Sequence, residues 1–330
     1  MSVWASIRWL AALLPPLILA TAPSFAQAPA AGVVLPREAG GPDPALGAAA
    51  AKLDLAYGAY QRGQFAVALK EALLRLRSNA KDAVAMTLIG EIYRDGYAVA
   101  ASDAQAAHWY RLASALGDRN AQFALGQLLL HGAQGLEADR GGAKAEFEKA
   151  AAQGHARALY NLGVLAVEGQ AGGPPDVGQA AKYFLRAAQA DDNDAAYSYG
   201  ILLREGRGVD LDIGEAAHWL KRAADGGVIA AQVEYGIMLF NGVGVERDEA
   251  AAARLLSKAA GLSNPIAQNR LAHLYVSGRG VARDLVRAAV WHQFAKAAGH
   301  EDAELDAALA HLNDNEQREV NRLMRLQAEF

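Results

Sequence analysis

Between residues 83 and 299 a small residue returns at a fixed period: Gly90, Gly126, Gly163, Gly200, Gly236 and Ala272, spaced by 36, 37, 37, 36 and 36. Six residues after each comes a glycine, at Gly96, Gly132, Gly169, Gly206, Gly242 and Gly278. A third column is alanine: Ala113, Ala150, Ala187, Ala223, Ala259 and Ala295. Six copies at this period commit the chain to an array of similar modules. Each module is too small to bury its own apolar face, so neighbours must stack.

Within a unit the pattern predicts two antiparallel helices. Ala196, Tyr199, Leu202 and Leu203 fall on one helical stripe. Gly206 then stops the first helix, because the residue after a helix often takes positive φ. Asp212 is placed to cap the second helix, as are Asp248, Asp284 and Ser102 in other copies. The second helix carries Ala216-Ala217, Trp219, Leu220 and Ala223. A glycine inside a helix costs ~1 kcal/mol against alanine, so the glycine column implies close backbone approach. The expectation is that the second helix crosses there, its alanines facing the glycine and its aromatic filling the space beside it. Trp109, Tyr183, Trp219 and Trp291 hold that aromatic column, with Leu255 in the fifth copy; the second copy departs with Glu146, beside Phe147. The fold class is therefore all-α, an α/α solenoid (a right-handed superhelix) of stacked helix-turn-helix repeats.

The string YGILLREGRGVDLDIGEAAHWLKRAADGG, residues 199–227, resembles a Sel1-like repeat, a relative of the tetratricopeptide repeat. The resemblance covers residues 83–299. Its G-x-G-V turn is complete at Gly206, Gly242 and Gly278 and degraded in the first three copies. It implies an adaptor that binds other proteins. In the related tetratricopeptide superhelix the first helix of each pair lines the concave side. Carried over by register, the inward positions lie three before, one after and four after the repeat glycine. They include Phe123, then Tyr160 and Val164, then Tyr197, Ile201 and Arg204, and then Ile237 and Phe240. The ends of this series are more polar, with Thr87, Glu91 and Arg94 at one and Asn269 and His273 at the other. A contiguous apolar and aromatic strip would mark an interaction groove. If Tyr197 and Arg204 are such groove residues, truncating or reversing them leaves folding intact and abolishes capture of a partner.

Outside the array, the opening MSVWASIRWLAALLPPLILATAPSFAQ has Arg8, an apolar run from Trp9 to Ala20 and small residues at Ser24 and Ala26. This is the layout of a secretory signal peptide over residues 1–26, cut before Gln27. The run is shorter than the ~20 apolar residues of a spanning helix, and Pro15-Pro16 interrupts it. In a Gram-negative bacterium the destination is the periplasm. Residues 27–50 read as an Ala/Pro/Gly-rich linker. Residues 51–82 fit a tetratricopeptide-like hairpin turning at Gly63, and residues 300–330 fit two closing helices that cap the array. Asn313 and Glu316 resemble a capping box for the last helix.

The chemistry-bearing motifs are sparse. With no cysteine, the chain has no disulfide, thiolate metal site or thiol nucleophile. A formal charge of −4 argues against a nucleic-acid partner, which calls for a basic face. Ser78-Asn79-Ala80-Lys81 matches S-x-x-K, but its S-D-N and K-T-G companions are missing. His108, His218 and His292 each adjoin a tryptophan and form no metal motif, reading as rim or partly buried side chains. Asp191-Asp192-Asn193-Asp194 and Asp210-Leu211-Asp212 lack the calcium-loop pattern and fall where acids cap helices. The sequence thus points to a non-catalytic interaction scaffold in the cell envelope, with no metal or cofactor, a protein or peptide partner, and no stable membrane insertion once the signal is removed. Other readings are a cell-wall-associated enzyme or peptidoglycan-binding module, and a periplasmic regulator of a sensor kinase.

Overall fold

The computed structural model describes residues 55–169 and 173–328. The signal-peptide segment and the linker lie outside the described residues, as do the first residues of the N-terminal hairpin. Among the described residues the regular structure is helical, apart from one isolated bridge between Ala133 and Leu136. The hairpin is α1 (Leu55–Gln61) and α2 (Phe65–Ser78). The six repeats follow as pairs: α3 (Ala83–Asp95) with α4 (Asp103–Ala115), α5 (Arg119–His131) with α6 (Arg140–Ala152), and α7 (Ala156–Glu168) with α8 (Val177–Gln189). The remaining pairs are α9 (Asn193–Glu205) with α10 (Ile213–Asp225), α11 (Ile229–Asn241) with α12 (Glu249–Gly261), and α13 (Pro265–Ser277) with α14 (Leu285–Ala297). The chain closes with α15 (Ala303–Leu309) and α16 (Asp314–Ala328). From α1 to α15 each helix packs on the next in sequence, which makes an α/α solenoid, and α16 folds back onto α14.

The glycine column lies where the two helices of a pair touch, but its partner is one residue further along than the sequence pattern suggests. A Cβ built on Gly90 would stand 2.5 Å from Tyr110 Cε1, and one on Gly126 would stand 2.6 Å from Phe147 Cε1. Gly163 faces Phe184 in the same way, and Gly200 faces Leu220. The facing residue is therefore Tyr110, Phe147, Phe184, Leu220 or Leu256, not the expected column of Trp109, Tyr183, Trp219 and Leu255. It sits four residues after the first alanine of the pair, on the same helical ridge. The alanine contributes its backbone: the Ala143 carbonyl is 3.2 Å from the Gly126 Cβ position. One step along a helix is a rotation of about 100°, which turns Trp109, Tyr183 and Trp291 to half-buried flanks. The alanines themselves are sealed, with Ala106, Ala143, Ala180, Ala216, Ala252 and Ala288 fully buried.

The alanine column closes each pair onto the next repeat. Its carbonyl accepts the N–H of the residue five further on: Asp118 to Ala113, His155 to Ala150, Asp192 to Ala187, Val228 to Ala223, Asn264 to Ala259 and His300 to Ala295. This is the 6→1 bond of a Schellman turn, which needs a left-handed residue in between. Gly117, Gly154, Gly227 and Gly299 supply it, while Asp191 (φ 66°) and Ser263 (φ 62°) adopt it without being glycine. Three buried glutamines add a second tie across the same junction. Gln122 Nε2 donates to the Ser114 carbonyl at 3.4 Å, Gln232 to Ala224 at 3.3 Å and Gln268 to Ala260 at 3.2 Å, a second donor to last-turn carbonyls that already accept a backbone N–H from the turn.

The G-x-G-V turns have a packing reason. The second glycine of each lies against the first turn of the second helix in the preceding repeat. A Cβ on Gly280 would fall 2.1 Å from the Glu249 carbonyl oxygen, so only glycine fits there. Asp212, Asp248 and Asp284 cap their helices as expected, accepting backbone N–H bonds at 2.8, 2.8 and 2.9 Å. At the C-terminal end Asn313 and Glu316 form the reciprocal capping bonds. Val320 of α16 is buried against Ala289 and Val290 of α14.

Candidate protein-binding surface

The first helices of successive repeats are tied directly to one another by side chains. Arg157 Nη1 of α7 reaches Asp194 Oδ2 of α9 at 2.8 Å. Arg204 Nη1 of α9 reaches Glu234 Oε2 of α11 at 2.5 Å. Asn269 and His273 of α13 both bond Asp302, the N-cap of α15, at 2.9 and 2.8 Å. Burial works against ionisation of Asp302, yet these two hydrogen bonds hold its carboxyl well below the ordinary carboxylate range. Side chains thus tie α7 to α9, α9 to α11 and α13 to the closing helix α15.

Most of the residues expected on this strip are engaged with the next repeat. The Phe123 ring stacks on His155 at 4.4 Å, with 24° between the planes. His155 is the N-cap of α7, where Nδ1 accepts the Ala158 N–H. Burial, with Arg119 close by, lowers its pKa to about 4 and keeps the ring neutral. Tyr160 is half-buried, 5.6 Å from the Phe184 ring, and the Arg157 guanidinium lies 6.0 Å from its ring centre. Val164 is half-buried beside it against the same core. Burial, helped by the nearby Glu234, pushes the Tyr197 phenol up to about 12. Ile237 is half-buried, and Phe240 lies under the Arg279 guanidinium, 4.0 Å above its ring centre. Arg279 is itself held by Glu249 at 2.7 Å, and Arg247 pairs with the same carboxylate. Those hydrogen bonds lower the Glu249 pKa to about 2.

Two expected positions differ from an open groove. Ile201 is only 7% exposed and packs with Leu220 and Met238, so it belongs to the core. Arg204 is committed to its ion pair with Glu234. What faces outward is a row of half-covered aromatic and aliphatic faces edged by ion pairs. That mixture of aromatic anchors and a polar rim is the anatomy of a protein-recognition surface.

The other singled-out residues have local structural work. Ser78 Oγ donates to the Arg75 carbonyl at 2.8 Å within the last turn of α2. Asp192 caps α9 through the Ala195 N–H, and Asp191 pairs with Arg222. His108 and His218 are exposed, each edge-on to its neighbouring tryptophan. His292 is buried, and its Nε2 meets Asp306 Oδ1 at 2.8 Å. No group of three or more His, Asp or Glu side chains among the described residues is arranged to hold a metal ion. Among the described residues, no helix is long and apolar enough to cross a membrane.

Sequence reasoning missed His155, Glu234 and Arg279 as parts of the strip. His155 carried a legible signal, because it stands in the cap column that holds Asp118, Asp192 and Asn264 in other copies. Glu234 and Arg279 carried none, since their partners are set by how one repeat sits on the next.

Comparison with known proteins agrees with this architecture. The family model for the Sel1 repeat matches six consecutive segments: 83–118, 119–155, 156–192, 193–228, 229–264 and 265–300. No curated protein matches the chain. Among solved structures, the chain is similar to a Sel1 repeat protein from Oxalobacter formigenes, with 27% identity and a TM-score of 0.62, covering 73% of this chain and 94% of that one. It also shares the fold of c5321, a protective antigen of uropathogenic Escherichia coli strains displaying an SLR fold. There the identity is 24% and the TM-score 0.55, over 80% of this chain and 64% of that one.

Proposed function

Because this chain belongs to the Sel1 repeat family, whose solenoids generally act as protein–protein interaction scaffolds, we propose that it is a non-catalytic adaptor of the bacterial cell envelope. It is exported by its N-terminal segment and holds a protein or peptide partner along the strip of first helices. The observation that carries this reading is the strip itself. Phe123, Tyr160, Tyr197 and Phe240 recur on consecutive first helices, each only half-buried. Aromatic anchors of this kind dominate binding energy when a partner covers them. The export reading rests on the charged start, short apolar run and small-residue cut before Gln27.

Site-specific photo-crosslinking in cells tests the proposal. A photoreactive side chain at Val164, on the strip, is expected to capture a discrete protein, and the same group at Lys182, exposed on α8, to capture none. Equal capture at both positions, or capture at Lys182 alone, contradicts a partner on the strip. Recovery of the chain only in the cytoplasmic fraction contradicts the envelope location.

A further inference from the structure

The outer face of the second helices changes character along the array. Among the described residues, α6, α8, α10, α12 and α14 expose no large apolar side chain. On α2, the second helix of the hairpin, three are exposed: Val67 at 48%, Leu73 at 41% and Leu74 at 42%. α4 beside it adds Leu112. Val67, Lys70, Leu73, Leu74 and Arg77 are spaced three and four apart, so they share one side of α2. Ala68 and Ala72, fully buried, lie on the opposite side. The stripe is therefore turned away from the array, and its aliphatic chains alternate with the exposed Lys70 and Arg77.

Charge is concentrated at the same place. Residues 55–82 hold Arg62, Lys70, Arg75, Arg77 and Lys81 against Glu71 and Asp82, a balance of +3 in a chain whose formal charge is −4. Asp82 is taken up by Arg75, which bonds both of its oxygens at 2.9 and 3.0 Å. Glu71 is half-buried, so the side chains that reach solvent here are predominantly cationic. The turn at Gly63 folds α2 back along α1, which brings the exposed Leu55 to the same end as Leu74 and Arg77. Aliphatic chains and cations thus share one outward surface.

We propose that this face of α2 rests on the surface of an anionic lipid bilayer, with Val67, Leu73 and Leu74 entering the headgroup layer and Lys70 and Arg77 meeting lipid phosphates. A bilayer interface takes apolar side chains and cations side by side, because long basic stems lie along the apolar layer while their heads reach the phosphates. Each cation adds to the attraction and each aliphatic chain leaves water, with no need for a spanning helix. An acidic polypeptide would match the cations but leave the aliphatic chains in water. A second copy of the same face would set Lys70 and Arg77 against like charges. The strip lies on first helices and this face on a second helix, so the proposal stands apart from the adaptor reading and leaves the strip open to a protein.

The chain has no cysteine, so Val67→Cys places a single environment-sensitive fluorophore on this face of the full chain, and Lys182→Cys places one on α8 for comparison. Each is titrated with vesicles of phosphatidylglycerol and phosphatidylethanolamine that carry a nitroxide quencher at headgroup depth; phosphatidylcholine vesicles are the neutral control. The label at position 67 is expected to shift to the blue and be quenched on the anionic vesicles only, and to recover at high salt. The label at position 182 is expected to stay unquenched. The readout is local to α2, so attachment through the apolar run Trp9 to Ala20 does not mimic it. Lys70→Gln with Arg77→Gln is expected to weaken docking about twentyfold, and Leu73→Gln with Leu74→Gln about tenfold, both at unchanged helicity because these side chains are exposed. Arg254→Gln, on the exposed side of α12, is expected to change it by less than about twofold. Equal quenching at both labels, an equal response to phosphatidylcholine, or unaltered docking in either double variant overturns the proposal. So does a larger shift with polyglutamate than with vesicles, which makes an acidic polypeptide the occupant, or a shift that grows with protein concentration alone, which makes it a second copy.

Discussion

The Phe184 ring lies so close on Gly163 that a methyl group added to the glycine would stand 2.5 Å from Cε1. Non-bonded carbon atoms in a folded protein do not rest at that separation, so the ring or the helices must move to admit it. Two repeats further on the same column is looser, with Leu256 Cγ 3.3 Å from the Gly236 Cβ position.

Gly163→Ala is therefore expected to destabilise the chain by about 1–3 kcal/mol, overpacking outweighing the ~1 kcal/mol gained in helix propensity. Gly236→Ala should stay within about 0.5 kcal/mol of the parent, since the propensity gain offsets a slight repacking. Adding Phe184→Leu to Gly163→Ala should recover part of the loss, because the array already pairs Gly200 with Leu220. Urea denaturation followed by circular dichroism measures all three. A Gly163→Ala protein as stable as the parent contradicts the crossing geometry.

Ser263 holds the left-handed turn position at φ 62° that glycine fills in four of the six junctions. Ser263→Gly is expected to stabilise by about 0.5–1 kcal/mol, removing the left-handed penalty of an L-residue against a modest entropic cost. The same urea titration reads it, and a loss of stability is the contrary result.

Arg204 and Glu234 form a half-buried pair between adjacent first helices. Arg204→Glu should cost about 1–2 kcal/mol, because it also sets three acids together at Glu205 and Glu234. The exchanged pair Arg204→Glu with Glu234→Arg should regain about half. This replaces the expectation, drawn from sequence, that reversing Arg204 leaves folding intact. A double-mutant cycle with no coupling contradicts the pair.

His155 gives the fold a pH dependence with a definite sign. Its folded pKa is lowered to about 4 by burial and by Arg119, while an unfolded histidine titrates near ~6.5. The unfolded chain therefore binds the extra proton first. The contribution is present above pH ~6.5 and is lost as pH falls from there to about 4. Protonated Nδ1 can no longer accept the Ala158 N–H, so the cap opens as well. His155→Asp, the choice made at Asp118 and Asp192, should show a smaller drop in Tm between pH 7 and pH 5 than the parent. Parallel pH profiles for the two proteins are the contrary outcome.

The array was legible because its spacing is a packing requirement repeated six times. Glycine, alanine and cap columns each answer to one local constraint: a crossing, a Schellman carbonyl or an open helix N–H. What could not be read was which of two neighbouring apolar residues meets the glycine. Trp109 and Tyr110, or Tyr183 and Phe184, satisfy the same helical pattern, and only the crossing angle selects between them. The strip was legible as a register but not as a surface. Arg279 above Phe240 and Glu234 beside Arg204 come from the neighbouring repeat, 39 and 30 positions away in the chain. Such pairings depend on how far each module rotates against the last, which no single repeat encodes. The cap column could have revealed His155, since a histidine stood where aspartate or asparagine is usual.

The most direct test of the central claim is hydrogen exchange on the full chain, with and without the protein captured through Val164. The account predicts that binding slows exchange most in the first helices α5, α7, α9 and α11, with the second helices α6, α8 and α10 little changed. Protection concentrated on the second helices, or confined to the two ends of the array, would show that the partner docks elsewhere.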